Sequence, residues 1–264
     1  MSCWANTNTM FDQTDESDRR TVVLVGVTGD GKSSTGNTLA AQDAFRVAAG
    51  FSSATQTVEH QDYFYRGGRC WRVIDTIGLH DTGLAAGEVM VRFSAFADRA
   101  IGGIDCFLFV VRWGRWKPEH DAALGAFVRN AGESALAHTV LVFTHCTLSD
   151  DELQQALAEA PPSLRAQLPK LRGTVGVDNL GAAAASAATE AVREALHRAV
   201  EAVVASNDGA RYSNDCLAAV RAEYDEREEE GRQAFAAALA DWRKGTGAIE
   251  IVRECGPPKS SKKP

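Results

Sequence analysis

The chain has 264 residues, 45% of them hydrophobic and 24% charged, so it is long enough to bury a full core unaided by disulfides or metals. Its formal net charge of −7 argues against a general nucleic-acid-binding surface. Six scattered cysteines without a C-x-x-C pair argue against a zinc site or a disulfide framework and favour a reducing, cytoplasmic location. We find no signal peptide, membrane-spanning run or lipidation motif, so we expect any membrane association to be indirect.

Changes in composition along the chain predict its domain organisation. Residues 1–20 are polar and acidic and predict a disordered start. Residues 21–205 predict the main domain, and residues 246–264 predict a flexible tail. Between them, residues 206–245 predict a C-terminal helical extension, either one helix or two helices divided at Gly231. The extension either packs on the domain or binds a partner.

The elements of the main domain alternate between strand and helix in chain order. Four apolar runs predict buried strands, and two β-rich segments around Gly67-Gly68 predict a hairpin. The runs lie at 21–26, 105–111, 139–143 and 173–177. Helices are predicted after the first strand to about Ala41, over 89–100, from Pro118, and over 182–205. The pattern predicts an α/β fold: a mostly parallel six-stranded sheet with one antiparallel edge strand and helices on both faces.

The stretch "GVTGDGKSST" follows the first predicted strand and satisfies G-x-x-x-x-G-K-[ST], the phosphate-binding P-loop pattern. Glycines let backbone N–H groups turn inward around an anion, and the next helix adds its N-terminal partial charge. Lys32 is expected to reach the β- and γ-phosphates, and the Ser33 hydroxyl to ligate Mg²⁺. Chance alone gives the pattern in about 1% of chains this long. The expected phosphate-binding residues in this stretch are Thr28, Gly29, Asp30, Gly31, Lys32, Ser33 and Ser34.

A second metal contact is predicted in "RVIDTIG", where Asp75 ends an apolar strand. Its carboxylate is expected to face the loop and hold Mg²⁺. Gly78 completes D-x-x-G, and its N–H is expected to approach a γ-phosphate. The alternative role for Asp75 is a helix or turn cap.

The segment between Phe45 and Thr57 is rich in small and hydroxyl residues. A nucleotide switch needs a threonine here whose hydroxyl reaches Mg²⁺ and whose N–H senses the γ-phosphate. Thr55 is the first candidate and Thr57 the second. An ordinary flexible loop that ends in threonine is the alternative for either residue.

Taken together, these residues resemble the AIG1-type GTPases, which include the immunity-associated GTP-binding proteins and, more distantly, the plastid-envelope import GTPases. "GVTGDGKSSTGNTLAAQDAF" is similar to the first box of that family, and "SSATQTVE" to its switch I. "DTIGLHDT" resembles the family's "DTPGLFDT", and "VVRWGRWKPEHDAAL" resembles the box usually written "GRFTEED". The resemblance spans residues 22–205 and implies a P-loop GTPase G domain that binds GTP or GDP with Mg²⁺.

The position of the guanine-specificity box is occupied by Thr144-His145-Cys146-Thr147, in place of N-K-x-D. The resemblance implies that His145 stacks on the base or hydrogen-bonds to it, and that Asn179, after the last strand, contacts the base too. A histidine satisfied at a strand end is the alternative for His145. Guanine preference is implied by the resemblance.

No catalytic residue is identified, because Leu79 stands where many small GTPases place the glutamine that orients the attacking water. Either hydrolysis is intrinsically very slow, or a partner or second protomer completes the site. The resemblance implies face-to-face, nucleotide-dependent homodimers, and His80, Arg112 and Arg115 lie in loops suited to such an interface. The alternative is that these arginines pair only with nearby acids.

Two other function classes stay open from the sequence. The first is a nucleotide-binding scaffold that does not hydrolyse GTP and whose GTP-bound form assembles on an unknown protein partner or, indirectly, on a membrane. The second is a P-loop ATPase or kinase. The chain between the predicted strands is short for the arginine-bearing lid that a kinase needs.

Overall fold

The computed structural model describes five stretches of the chain, residues 18–47, 58–76, 96–114, 116–179 and 187–243. At residues 232, 235 and 238–243 it describes the backbone alone. Most of the helix predicted over 89–100 lies outside these stretches, and its end is a 3-10 turn at Ala97–Arg99. The predicted disordered start and flexible tail lie almost wholly outside them as well.

Six strands within the described stretches form one sheet, as predicted. They are β1 (Arg20–Gly26), β2 (Glu59–Tyr65), β3 (Arg69–Asp75), β4 (Cys106–Arg112), β5 (Thr139–Thr144) and β6 (Gly173–Val177). Their order across the sheet is β2-β3-β1-β4-β5-β6, and every neighbouring pair is parallel except the β2–β3 hairpin at one edge. Tyr65 pairs with Arg69, so the hairpin loop holds three residues rather than the two glycines alone.

The described helices follow the strands in alternation. They are α1 (Lys32–Ala40), α2 (Pro118–Ala131), α3 (Asp150–Ala158), α4 (Pro162–Arg165), α5 (Ala187–Ser206) and α6 (Asp215–Arg243). Pro118 begins α2, where a missing backbone N–H costs nothing. At α3, the Glu152 N–H donates to Ser149 Oγ and the Ser149 N–H donates to the Glu152 carboxylate, which fixes the start of that helix.

Helices cover both faces of the sheet, which is why the parallel strands are continuous apolar runs. On one face, alternate residues of β1, β4 and β5 pack with Leu39 of α1 and with Leu196 and Val200 of α5. On the other face, the rings of Phe107 and Phe109 contact Phe127 of α2, with centroids 5.0 and 6.2 Å apart. Because these strands are parallel, their carboxyl ends lie side by side along one end of the sheet, here called the carboxyl edge. The glycine-rich loop follows β1 at this carboxyl edge.

The C-terminal part of the chain forms one long helix, the first of the two alternatives that the sequence left open. α6 runs through Gly231 without a break, because a single exposed glycine costs a helix only about 1 kcal/mol. By contact density the chain divides into residues 1–217 and 218–264. Tyr212 and Leu217 are buried, whereas residues 221–231 are exposed wherever their burial is described. No helix in the described stretches is long and apolar enough to cross a membrane.

Candidate functional site

The loop between β1 and α1 needs glycine at two positions. Gly26 has φ +137°, and a Cβ there would lie 2.3 Å from the carbonyl oxygen of Val110. Gly31 has φ +98° and directly precedes α1, and a Cβ there would lie 3.1 Å from Cγ2 of Thr144. Side chains at either position would therefore force the loop off β4 and β5. The glycines of the motif thus place the loop at the carboxyl edge of the sheet.

Lys32, the first residue of α1, lies beneath this loop. Its ammonium donates to the carbonyl oxygens of Gly26 at 3.4 Å and Val27 at 3.0 Å, and the residue is only 6% exposed. Burial lowers the pKa of Lys32, and the nearby carboxylates of Asp75 and Asp30 oppose that shift. A buried cation whose hydrogen bonds among the described residues go to loop carbonyls is suited to an incoming anion, because phosphate oxygens would pair with it far better.

The two described residues predicted to hold the metal lie against each other. The Ser33 hydroxyl donates to Oδ2 of Asp75 at 2.6 Å, and Asp75 is 1% exposed at the end of β3. The parallel register pairs Asp75 with Leu24 of β1, which brings the carboxylate to the start of the loop. A hydroxyl and a carboxylate are oxygen donors of the kind that Mg²⁺ prefers. Their arrangement fits a magnesium site that shares its ion with a phosphate.

Other predicted contacts fall outside the described residues. Thr55 and Thr57, the switch candidates, lie there, and so do Gly78, Leu79 and His80, together with Arg115. Their roles stay predictions. Arg112, at the end of β4, is described and exposed.

The residues after Ser34 explain why the first box extends to "STGN". Thr35 donates its hydroxyl to the Gly31 carbonyl at 3.0 Å. Asn37 donates to the Phe45 carbonyl at 2.9 Å and accepts the Phe45 N–H at 2.7 Å. A Cβ on Gly36 would lie 2.8 Å from the Phe45 ring. This segment therefore anchors α1, and with it Lys32 and Ser33, to the chain that leads toward the predicted switch.

Asp30, inside the loop, has two partners that sequence reasoning did not identify. Its carbonyl accepts the Thr144 hydroxyl at 2.8 Å, and its carboxylate lies 2.9 Å from Nε2 of His120 on α2. Its own N–H points back to the Val27 carbonyl at 3.4 Å. The sequence does show an acidic residue inside a phosphate-binding loop, and a carboxylate at that position needs a hydrogen-bond partner. Nothing in the sequence, however, places that partner 90 residues away.

The predicted base-contacting residues both lie at the carboxyl edge of the sheet. His145 is exposed directly after β5, with φ +53°. The Asn179 amide, after β6, donates to Oγ1 of Thr35, while its carbonyl accepts the Thr38 hydroxyl, both at 3.0 Å. Asn179 therefore ties the end of β6 to α1, and its role at the base stays a prediction, as does that of His145. Between them in the chain, Cys146 is buried and donates its N–H to the Val177 carbonyl.

The sheet order and the loop between β1 and α1 define this fold as that of the P-loop GTPase G domains. A family model described as "AIG1 family" matches residues 20–231, and the chain belongs to that family. The resemblance drawn from the sequence motifs is thereby confirmed.

The relatives found by sequence are Arabidopsis thaliana proteins. Immune-associated nucleotide-binding protein 9 is 32% identical over 209 residues, which cover 75% of this chain and 58% of that protein. Immune-associated nucleotide-binding protein 7 is 33% identical over 124 residues, or 47% of this chain and 40% of that protein. The present chain thus spans little more than half the length of the first of these relatives.

The solved structures similar to this fold include Toc33 from Arabidopsis thaliana in complex with GDP and Mg²⁺. It has a TM-score of 0.53 and 22% identity, with 78% of this chain and 89% of that chain covered. A structure described under "Dimerization is important for the GTPase activity of chloroplast translocon components atToc33 and psToc159" has a TM-score of 0.55 and 22% identity, covering 78% and 88%. At this identity the similarity establishes the fold.

Proposed function

We propose that this protein is a guanine-nucleotide-binding switch that binds GTP and GDP with Mg²⁺. The observation that carries the proposal is the contact of Ser33 with Asp75 beside the buried ammonium of Lys32. A hydroxyl, a carboxylate and a cation under one glycine loop match the needs of a magnesium–phosphate group. A loop that only connects β1 to α1 would not need a buried lysine that donates to carbonyl oxygens.

Each of these residues has a role in the proposal. Lys32 binds the β- and γ-phosphates, and the loop N–H groups with the start of α1 surround them. Ser33 and Asp75 would hold Mg²⁺, and the bound ion would supply positive charge to the phosphates. Asp75 and Ser33 sit on different elements, β3 and α1, so the ion would also hold these elements together.

The choice of guanine rests on family membership and on the neighbours crystallised with GDP or GMPPNP. His145 is exposed at the edge where the base would lie, and Asn179 lies at the same edge. The decisive experiment compares the affinities of the purified chain for GTP, GDP and ATP in Mg²⁺ by calorimetry. We expect GTP and GDP to bind at least tenfold more tightly than ATP. Equal binding of ATP would reject a guanine switch.

We further propose that GTP hydrolysis is slow and is aided by a second protomer or a partner. Leu79 cannot orient water, and Arg112 is exposed at the same sheet edge as the loop. The dimerisation described for Toc33 supports this proposal by fold alone. Phosphate release per protein should rise with protein concentration, and the mass in solution should double with a GTP analogue relative to GDP.

Arg112→Ala tests the dimer, with Arg129→Ala as the control, because Arg129 is an exposed arginine on α2 away from the sheet edge. We expect Arg112→Ala to remove the concentration dependence of phosphate release while Arg129→Ala keeps it. A monomer in every nucleotide state would contradict a site completed by a second copy.

The alternative is a scaffold that binds GTP without hydrolysing it, and Leu79 is the observation that favours it. The same phosphate-release assay separates the two functions. Assembly that depends on GTP without any phosphate release, at every protein concentration, supports the scaffold.

A further inference from the structure

Asp30 presents a problem of charge. It lies inside the loop that is proposed to surround phosphates, directly before Gly31 and Lys32. Its carboxylate attracts the Lys32 ammonium and opposes the lowering of the pKa of that group by burial. A bound phosphate would compete with Asp30 for the same cation. A carboxylate free to turn toward bound phosphates would repel them, and the repulsion would be little screened in a site closed to water. The fold therefore needs a device that holds this side chain elsewhere.

His120 supplies that device from the opposite side of the loop. It is the third residue of α2 and is 1% exposed. The backbone N–H of Lys117 donates to its Nδ1 at 2.9 Å, so a neutral ring carries its proton on Nε2. That Nε2–H then donates to Oδ2 of Asp30 at 2.9 Å. The ring is thus oriented by the start of its own helix, independently of the loop.

The backbone and the side chain of Asp30 are held separately. Thr144 on β5 fixes the carbonyl of Asp30, so the path of the loop does not depend on His120. The direction of the carboxylate depends on His120. The side chain of Asp30 is 12% exposed and that of His120 is 2% exposed. Removing His120 should therefore release the charge without unravelling the loop.

We propose that His120 is a positioning residue that turns the Asp30 carboxylate toward α2 and away from the phosphates, so that an acid inside the loop does not oppose nucleotide binding. This inference rests on the proposed nucleotide-binding function. It assigns to the "GRWKPEH" segment a role in phosphate binding that acts entirely through Asp30.

The test is a double-mutant cycle on the full chain, read as dissociation constants for GMP, GDP and GTP in Mg²⁺ at fixed ionic strength. His120→Phe keeps the ring volume and removes the donor. We expect it to weaken GTP binding about tenfold, GDP less and GMP least, because the repulsion grows with phosphate charge. His120→Gln places an amide N–H near the position of Nε2 and should stay within about threefold of wild type.

Asp30→Asn removes the charge and should bind GTP about two- to fivefold more tightly than wild type. In the double variant, Asp30→Asn should restore the affinity that His120→Phe loses. If the double variant is as weak as His120→Phe, or if the loss is equal for GMP and GTP, His120 is only a packing residue and the proposal is wrong. Should His120→Phe not fold, Asp30→Asn still decides, because weaker binding than wild type would overturn the proposal and tighter binding would support it.

Binding by the wild-type chain and coupling between Asp30 and His120 are measured separately. If the wild-type chain binds none of the three guanine nucleotides, the proposed function is wrong. If wild type binds them and the variants show no coupling between Asp30 and His120, the function stands and the positioning role is wrong.

Discussion

A buried ammonium destabilises a folded chain until an anion meets it, and Lys32 is in that position. Its partners are two loop carbonyls, and burial lowers its pKa, which means that the folded state disfavours the charged form. The carboxylates of Asp75 and Asp30 offset part of this cost, and the phosphates of the proposed ligand would offset more. Stability and binding should therefore respond in opposite directions when this charge is removed.

Lys32→Met tests that opposition. We expect the nucleotide-free protein to be as stable as wild type or more stable by about 1–2 kcal/mol, because a desolvated charge is replaced by an apolar chain of similar length. GTP affinity should fall about a hundredfold or more, because the phosphates lose their cation. Urea denaturation and calorimetry measure the two effects. Lys170→Met, at an exposed position, is the control and should change neither; a clearly less stable Lys32→Met protein would contradict the account.

The sequence predicts the residues of the phosphate loop and Asp75 because each is fixed locally, by a motif and by the end of a strand. It does not predict the partners of Asp30 or the bonds of Asn179, which depend on side chains brought together from distant positions. His120 carries no local signal for its role, since a buried histidine near the start of a helix is most often simply packed. Long-range polar contacts are what the sequence alone leaves undetermined.

The elements themselves were predictable wherever the hydrophobic pattern is strong. Continuous apolar runs predicted the buried parallel strands, and the helix predicted over 182–205 packs in the core through Leu196, Val200 and Val203 of α5. The hairpin loop is one residue longer than the predicted Gly-Gly turn, because its length depends on the pairing register. The choice between one and two C-terminal helices depended on a weak glycine penalty, which the sequence left open. Differences of about 1 kcal/mol decide such features.

The packing of the β2–β3 hairpin against α5 predicts a pH dependence. His197 of α5 accepts the Tyr63 hydroxyl at 3.1 Å, donates from Nδ1 to the Arg193 carbonyl at 2.8 Å and stacks on Tyr65. Burial lowers the pKa of His197 to about 4, and the positive charges of Arg193 and Arg66 add to that shift. The unfolded ring takes up a proton near pH 6.5, so the unfolded state binds more protons between these values.

Stability should accordingly fall as the pH drops from 7 to 4, by about 3 kcal/mol from this residue alone. The stability of His197→Phe should fall by about 3 kcal/mol less than that of wild type between pH 7 and 4. Urea denaturation at each pH measures both proteins. Tyr63→Phe is the matched control, because it removes the same hydrogen bond and keeps the titrating ring. Parallel pH profiles for wild type and His197→Phe would show that the residue is not buried as a neutral base.

On the scale of the whole molecule, the compact part of the chain includes residues that the sequence assigned to the extension. Tyr212 exchanges backbone hydrogen bonds with Ile104, at 2.7 and 3.0 Å. Its hydroxyl donates to the Ala131 carbonyl, and its ring lies 5.1 Å from that of Phe107. The spacing of Tyr212 suits a helical stripe of the extension, but the residue lies before α6 and bridges to Ile104, so its place in the core depends on a long-range contact. The predicted boundary at 205 stays a prediction that truncation can test.

A chain that ends at residue 206 should be less stable than one that ends at 217, by about 3–5 kcal/mol. The shorter chain lacks the buried side chain of Tyr212, and its removal leaves a cavity beside Phe107. Tyr212→Ala in the longer chain should reproduce most of the loss in urea denaturation. Equal midpoints for the two lengths would place the boundary where the sequence predicted it.

The central claim is that Ser33 and Asp75 share a magnesium ion with the phosphates of a guanine nucleotide held over Lys32. The most direct measurement is the dissociation constant for GTP with Mg²⁺ and with EDTA, in wild type and in Ser33→Ala. We predict that EDTA weakens GTP binding to wild type about tenfold or more, and that Ser33→Ala in Mg²⁺ binds no better than wild type in EDTA. Wild-type affinity that is indifferent to the metal, or a Ser33→Ala protein that still responds fully to Mg²⁺, would contradict the claim.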